Sequence, residues 1–205
     1  YRTPHDQAAT NRPLEHLAWH QFALEGIVRG LEVSDTLGRV CAEVEARYPG
    51  ARCSVLLADR AAGVLRHAAG PSLPVDFLTA IDGLPMVDGA GVCGTAAATG
   101  RPVIIEDTLA DPRTKPFTDL IIEHGLRSAW SYPLVDASGA VIGTFALYRE
   151  HAHVPDAEEI AGVSAVAGIA ALAIERARTE QALTDAAHRD PLTGLANRAM
   201  FHDLL

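Results

Sequence analysis

The chain has 205 residues, 48% of them hydrophobic and 21% charged, with a formal net charge of −9. That is ordinary for a globular protein with a full core. The acidic balance excludes the basic surface that nucleic-acid binding needs, though not a nucleotide ligand in a local pocket. The cysteines Cys41, Cys53 and Cys93 form no C-x-x-C pair, which argues against a zinc or disulfide framework and fits reduced cytosolic thiols. No signal peptide is visible, and the longest low-polarity run, Ala161 to Ile174, is shorter than the ~20 residues of a membrane span. We therefore expect a cytoplasmic chain with no membrane contact. The sequence starts at Tyr1, so the natural N-terminus can lie outside it.

Residues to about Asn11 are polar, and Pro13 suits a helix start. Leu14, Leu17, Gln21, Leu24, Val28 and Leu31 then follow heptad spacing. This is either a surface helix on its own domain or a dimerisation helix. Ser34 and Asp35 offer an N-cap for a second helix with the stripe Leu37, Val40, Cys41, Val44 and Tyr48, stopped by Pro49-Gly50. Cys53 to Asp59 and Gly63 to Ala69 read as a strand hairpin, and Pro74 to Asp82 as a short helix. A glycine-rich loop from Gly89 runs into a small-residue helix ending near Gly100; Pro102 to Asp107 is a strand. Phe117 to His124 predicts a helix closed by Gly125. Arg127–Val135 and Val141–Arg149 are strands joined by a turn at Asp136–Gly139, and Pro155 opens a helix reaching about His188. Two hairpins exclude a wholly parallel sheet. The fold class is α+β, a mainly antiparallel central sheet with helices on its faces and long helices at both ends.

The segments Gly91-Val92-Cys93-Gly94-Thr95-Ala96, Pro102 to Asp107, Asp111-Pro112-Arg113, His124 to Leu134 and Gly143 to Tyr148 resemble, in this order, GAF domains of bacterial signalling proteins. Asp190-Pro191-Leu192-Thr193-Gly194-Leu195-Ala196-Asn197-Arg198 resembles the D-x-L-T-G-L-x-N-R opening of GGDEF (diguanylate cyclase) domains. The resemblances divide the chain into an N-terminal segment and dimerisation helix (1–33), a GAF domain (34–175), a helical linker (176–189) and the start of a GGDEF domain (190–205). The GGDEF signature loop is not within these residues, so no catalytic residue is assigned. The resemblance implies a structural turn at Asp190, Asn197 and Arg198, with an Asp190–Arg198 ion pair expected across it. The reading is a sensor domain regulating a diguanylate cyclase in cyclic di-GMP signalling, as a homodimer with the GGDEF domain in cis.

The resemblance places a small-molecule ligand between one sheet face and the short helices. Alternation puts Ser128, Trp130 and Tyr132 on one face of their strand, which suits a ring-shaped ligand or plain core packing. Cys93 and Thr95 lie on the glycine-rich helix, where Cys93 is either an activated thiol for redox input or a small packing residue. Glu106 and Asp107 end a strand at the expected pocket rim, as ligand groups or, for Asp107, as a turn cap. No metal site and no required cofactor are expected. A bilin would use a Cys-His pair, absent at His124, and His124 and His67 are weak haem candidates. Val163, Val166, Ala170, Ala173 and Ala177 form a seam at three–four spacing in the last helix, expected to couple two stalks in a dimer. Two alternatives stand beside this reading: a ligand-free dimerisation module, and a cysteine-based methionine sulfoxide reductase of the kind found among GAF-like folds, which carry several cysteines around the pocket.

Overall fold

A computed structural model of the chain describes residues 32–188, with side chains through Leu183. The predicted helix at 14–31 and the segment with Asp190, Asn197 and Arg198 lie outside the described residues.

Helix α1 (Val33–Arg47) buries Leu37, Val40, Cys41 and Val44, the stripe that its spacing predicts. It starts one residue before the predicted cap. Glu32 occupies the cap position without a side-chain bond, while Asp35 sits in the first turn, where the helix dipole favours a carboxylate. Gly50, at φ 79°, turns the chain into the sheet.

Six strands follow: β1 (Ala51–Asp59), β2 (Val64–Ala69), β3 (Leu84–Pro85), β4 (Val103–Ile105), β5 (Ser128–Val135) and β6 (Val141–Arg149). They form one sheet in the order β3-β2-β1-β6-β5-β4, every pair antiparallel. The β1–β2 turn is held by the Asp59 carboxylate, which accepts from the Ala62 N–H. The β5–β6 turn is held by Asp136, whose Oδ1 accepts from the N–H groups of Ser138 and Ala140 and from the Ser138 hydroxyl. These are the local side-chain-to-backbone bonds that make Asp a turn residue. The edge strand β3 has no sequence signature: two residues are too few to show a period.

The sheet is covered on both faces. On one side lie α1 and the long helix α5 (Ala157–His188); on the other lie α2 (Val75–Ile81), α3 (Gly91–Thr99), a 3-10 helix (Pro112–Phe117) and α4 (Thr118–His124). The α1/α5 layer contains Trp130, Phe145 and Leu147. The α2/α3 layer contains Leu56, Phe77, Ile105 and Tyr148.

The expected stalk seam is corrected here. Val163, Val166 and Ala170 are buried in the domain's own core with residues of α1 and the sheet, and Ala173 is buried as well. Their three–four spacing marks the inward stripe of a core helix, which burial stabilises at roughly 25 cal/mol per Å² of apolar surface. Ala177 is half-buried. The outward face of α5 carries the exposed Leu172 (49%) and Leu183 (66%). By length and composition α5 could cross a membrane, but its inward stripe is already occupied by this core.

Candidate functional site

On the α2/α3 side a partly enclosed cavity, with about 510 Å³ of atom-free space that includes open solvent, lies between the sheet and the short helices. Its floor is Leu56 on β1, Ala129 on β5 and Tyr148 on β6; Phe77 and Ile81 of α2, Cys93 of α3 and Ile121 of α4 close it. The sequence puts a glycine- and alanine-rich helix here for a steric reason. A Cβ on Gly94 would lie 2.6 Å from the Pro85 carbonyl oxygen and 2.7 Å from the Ala90 Cβ, so α3 fits only with glycine at that position. The strands beneath α3 are correspondingly small on this face, with Ala129, Ser131 and Ala146.

Polar groups in the wall are turned inward on the protein. The Thr108 hydroxyl donates to the Leu126 carbonyl at 2.6 Å, and the Thr114 hydroxyl donates to the carbonyls of Thr108 and Asp111. Tyr148 Oη shares a hydrogen bond with Ser54 Oγ at 3.2 Å and lies 3.8 Å from Cys93 Sγ. Burial pushes the Cys93 thiol up from its usual range, an effect partly offset by the hydroxyls of Ser131, Tyr148 and Thr144. Burial also pushes Tyr148 well up, reinforced by Cys93. Both groups are therefore neutral near pH 7, and the cavity lining carries no charge.

Of the residues expected at the pocket, only Cys93 lines it. Its surroundings answer to the packing alternative: a protonated thiol under α3 is neither exposed nor electropositive, as a reactive cysteine must be. Thr95 is buried beside the pocket and uses its hydroxyl to accept the Gly89 N–H at 3.0 Å, pinning the glycine loop. Ser128, Trp130 and Tyr132 do share one face, but it is the opposite one. Trp130 and Tyr132 are in the α1/α5 core. The Trp130 ring stacks on His153 with centroids 5.3 Å apart, and the Arg149 guanidinium lies 5.5 Å from its centroid. Among the described residues its indole N–H has no hydrogen-bond partner, and neither do the hydroxyls of Ser128 and Tyr132.

Glu106 and Asp107 belong to a strap beside the pocket rather than to its lining. Asp107 pairs with Arg127 at 2.9 Å and caps the Leu109 N–H; the Arg127 bond holds its carboxyl below the usual range, helped by that backbone bond. The Glu106 carbonyl accepts from the His153 N–H at 3.0 Å. His153 Nε2 and Arg149 both meet the Glu159 carboxylate on α5, at 2.9 and 2.7 Å. Hydrogen bonds thus link Glu106, through His153, to Glu159 in the first turn of α5, and Glu106 is joined to the pocket wall at Thr108 only along the chain, through Asp107. Sequence reasoning missed the real lining at Leu56, Phe77, Ala129 and Tyr148. The usable signal was the run of small residues on alternate positions of β5 and β6, which marks the face a glycine-rich helix can approach.

The GAF domain family profile matches residues 30–175. The chain belongs to the GAF domain family. Among relatives, it is 31% identical over 166 residues to the methyl sulfide methyltransferase-associated sensor of Methanosarcina acetivorans, a match covering 81% of this chain but only 17% of that protein. The GAF domain of a phosphoenolpyruvate-protein phosphotransferase from Coxiella burnetii superposes with a TM-score of 0.66 at 20% identity, covering 82% of this chain and 98% of that one. Free methionine-R-sulfoxide reductase from Neisseria meningitidis, solved with its substrate, superposes with a TM-score of 0.61 at 21% identity, covering 73% and 81%. These structural likenesses carry the fold. Family and relative together make this GAF domain a sensor-type module.

Proposed function

We propose that this GAF domain is the input domain of a cytoplasmic diguanylate cyclase, and that its ligand is a small, uncharged, largely apolar molecule. The observation that carries the ligand class is the cavity lining: hydrocarbon throughout, with hydroxyls already bonded and a neutral thiol and phenol. A charged ligand entering it would lose hydration with nothing to pair with. The output assignment rests on the GGDEF-opening segment Asp190–Arg198, which follows α5 directly.

In this reading the ligand displaces the wall at Thr108 and Leu126, and the bonds through Glu106, His153 and Glu159 shift the start of α5. The ligand acts only through its difference in affinity for two packings of that helix. The domain works as a homodimer through the outward face of α5 around Gly168, Leu172 and Leu183, while the inward seam stays in the core. The sequence requires no cofactor, and neither a nucleic-acid polymer nor a membrane is among the proposed partners. Catalysis by this domain is not proposed: Cys41 and Cys53 lie in the opposite core layer from Cys93, so no second thiol faces the pocket to form a disulfide.

Thermal-shift measurements with indole and toluene against benzoate test the ligand class. The neutral rings raise the melting temperature and benzoate does not; a shift for benzoate alone overturns it. Conversion of GTP to cyclic di-GMP by the full-length protein that contains this chain tests the output. Absence of that product, with the following domain folded, sinks the cyclase assignment.

A further inference from the structure

Asp76 in the first turn of α2 and Glu123 and His124 in the last turn of α4 come together at the edge of the cavity roof. One donor atom from each lies within 4.8 Å of the other two. The carboxylates are exposed, but the His124 side chain is not: it is 7% exposed, its Nε2 has no hydrogen-bond partner among the described residues, and that nitrogen lies 3.7 Å from Asp76 Oδ2. Phe77 meets the imidazole edge-on with centroids 5.5 Å apart, fixing the ring. Asp76 Oδ1 already accepts from the Phe77 N–H, which orients the carboxylate and leaves Oδ2 towards the histidine. A buried imidazole nitrogen without a partner is costly unless something binds it.

We propose that Asp76, Glu123 and His124 bind a first-row divalent transition-metal ion of the Zn2+ class, clamping α2 to α4. One imidazole and two carboxylates are a donor set for such ions, with water completing the shell. Ligand atoms around tetrahedral zinc lie about 3.4 Å apart, so the Nε2–Oδ2 pair needs to close by only a few tenths of an ångström. Glu123, at the exposed end of α4, has the side-chain freedom to complete the triad. Phe77 and Ile121 of these same two helices form the cavity roof, so the ion would hold the pocket shut. That consequence rests on the pocket being the ligand site; the metal site itself does not.

Calorimetric titration of the chain with Zn2+, and with Co2+ for its visible absorption, tests the site. The expected result is one strong site that weakens about tenfold or more in Asp76→Asn, Glu123→Gln and His124→Gln, and is unchanged in His151→Gln, an exposed histidine elsewhere. Saturating Zn2+ raises the melting temperature of the wild type by roughly 5–10 °C at a hundredfold excess over Kd. The two carboxylate variants alter exposed side chains, so they stay folded even if His124→Gln does not. Equal affinity in wild type, Asp76→Asn and Glu123→Gln, or no binding with the cobalt spectrum of the free hydrated ion, overturns the proposal and leaves a simple His–Asp pair.

Discussion

The two faces of the sheet are built from the same strands by opposite rules. On the α1/α5 face alternate positions carry Trp130, Tyr132, Phe145 and Leu147, and they meet two long helices in a filled core. On the other face the intervening positions carry Ala129, Ser131, Thr144 and Ala146, and they meet short helices that leave a cavity. The difference teaches that the residues most conspicuous in the sequence support the scaffold. The inconspicuous small ones leave the room in which a ligand can act.

The largest effect should come from the filled face. Trp130→Ala removes a fully buried indole and is expected to cost about 4 kcal/mol in chemical denaturation, while neutral-ring binding to the remaining folded protein keeps its affinity. Loss of binding with intact folding would place the ligand on the wrong face in our account. Next is Gly94→Ala on the cavity face. Its Cβ would meet the Pro85 carbonyl, and lifting α3 should cost about 2 kcal/mol and loosen the pocket. A neutral result would mean that α3 has slack and that the small residues beneath it are not required.

The smallest effect concerns the strap. The Asp107 carboxyl is held below its usual range in the folded protein by Arg127. A depressed folded value means that its stabilisation is fully present above the ordinary aspartate range and is lost as pH falls through that range towards the lowered folded value. Asp107→Asn should therefore lower stability slightly at neutral pH and flatten the acid limb of the stability profile. An unchanged acid limb would show that the pair contributes nothing, as many exposed pairs do.

Most of the scaffold was legible because its signals are local. The α1 stripe, Gly125 at the end of α4, the Asp136 turn and the strand hairpins each follow from a few adjacent residues. Alternation also grouped Ser128, Trp130 and Tyr132 correctly. What local pattern cannot give is which face of a doubly covered sheet meets which helices, because both faces are apolar. For want of that tertiary fact the sequence leaves Trp130 between ligand contact and plain core packing; it is core, on the face opposite the pocket. The seam Val166–Ala170–Ala173 was misread for a related reason: the same spacing describes a helix packed on its own domain and one packed on a partner. Cys93 was the one pocket residue found, since its glycine-rich helix is tied to the pocket by the family resemblance.

Filling the cavity from its floor tests the central claim most directly. In the full-length protein that contains this chain, Ala129→Leu inserts a branched side chain where the ligand would sit, and cyclic di-GMP formation from GTP is then measured beside the wild type. The account predicts a change in rate of severalfold or more, with the fold retained, because an occupied pocket shifts α5 as a ligand does. Equal rates in the two proteins, or no cyclic di-GMP from either, would contradict it.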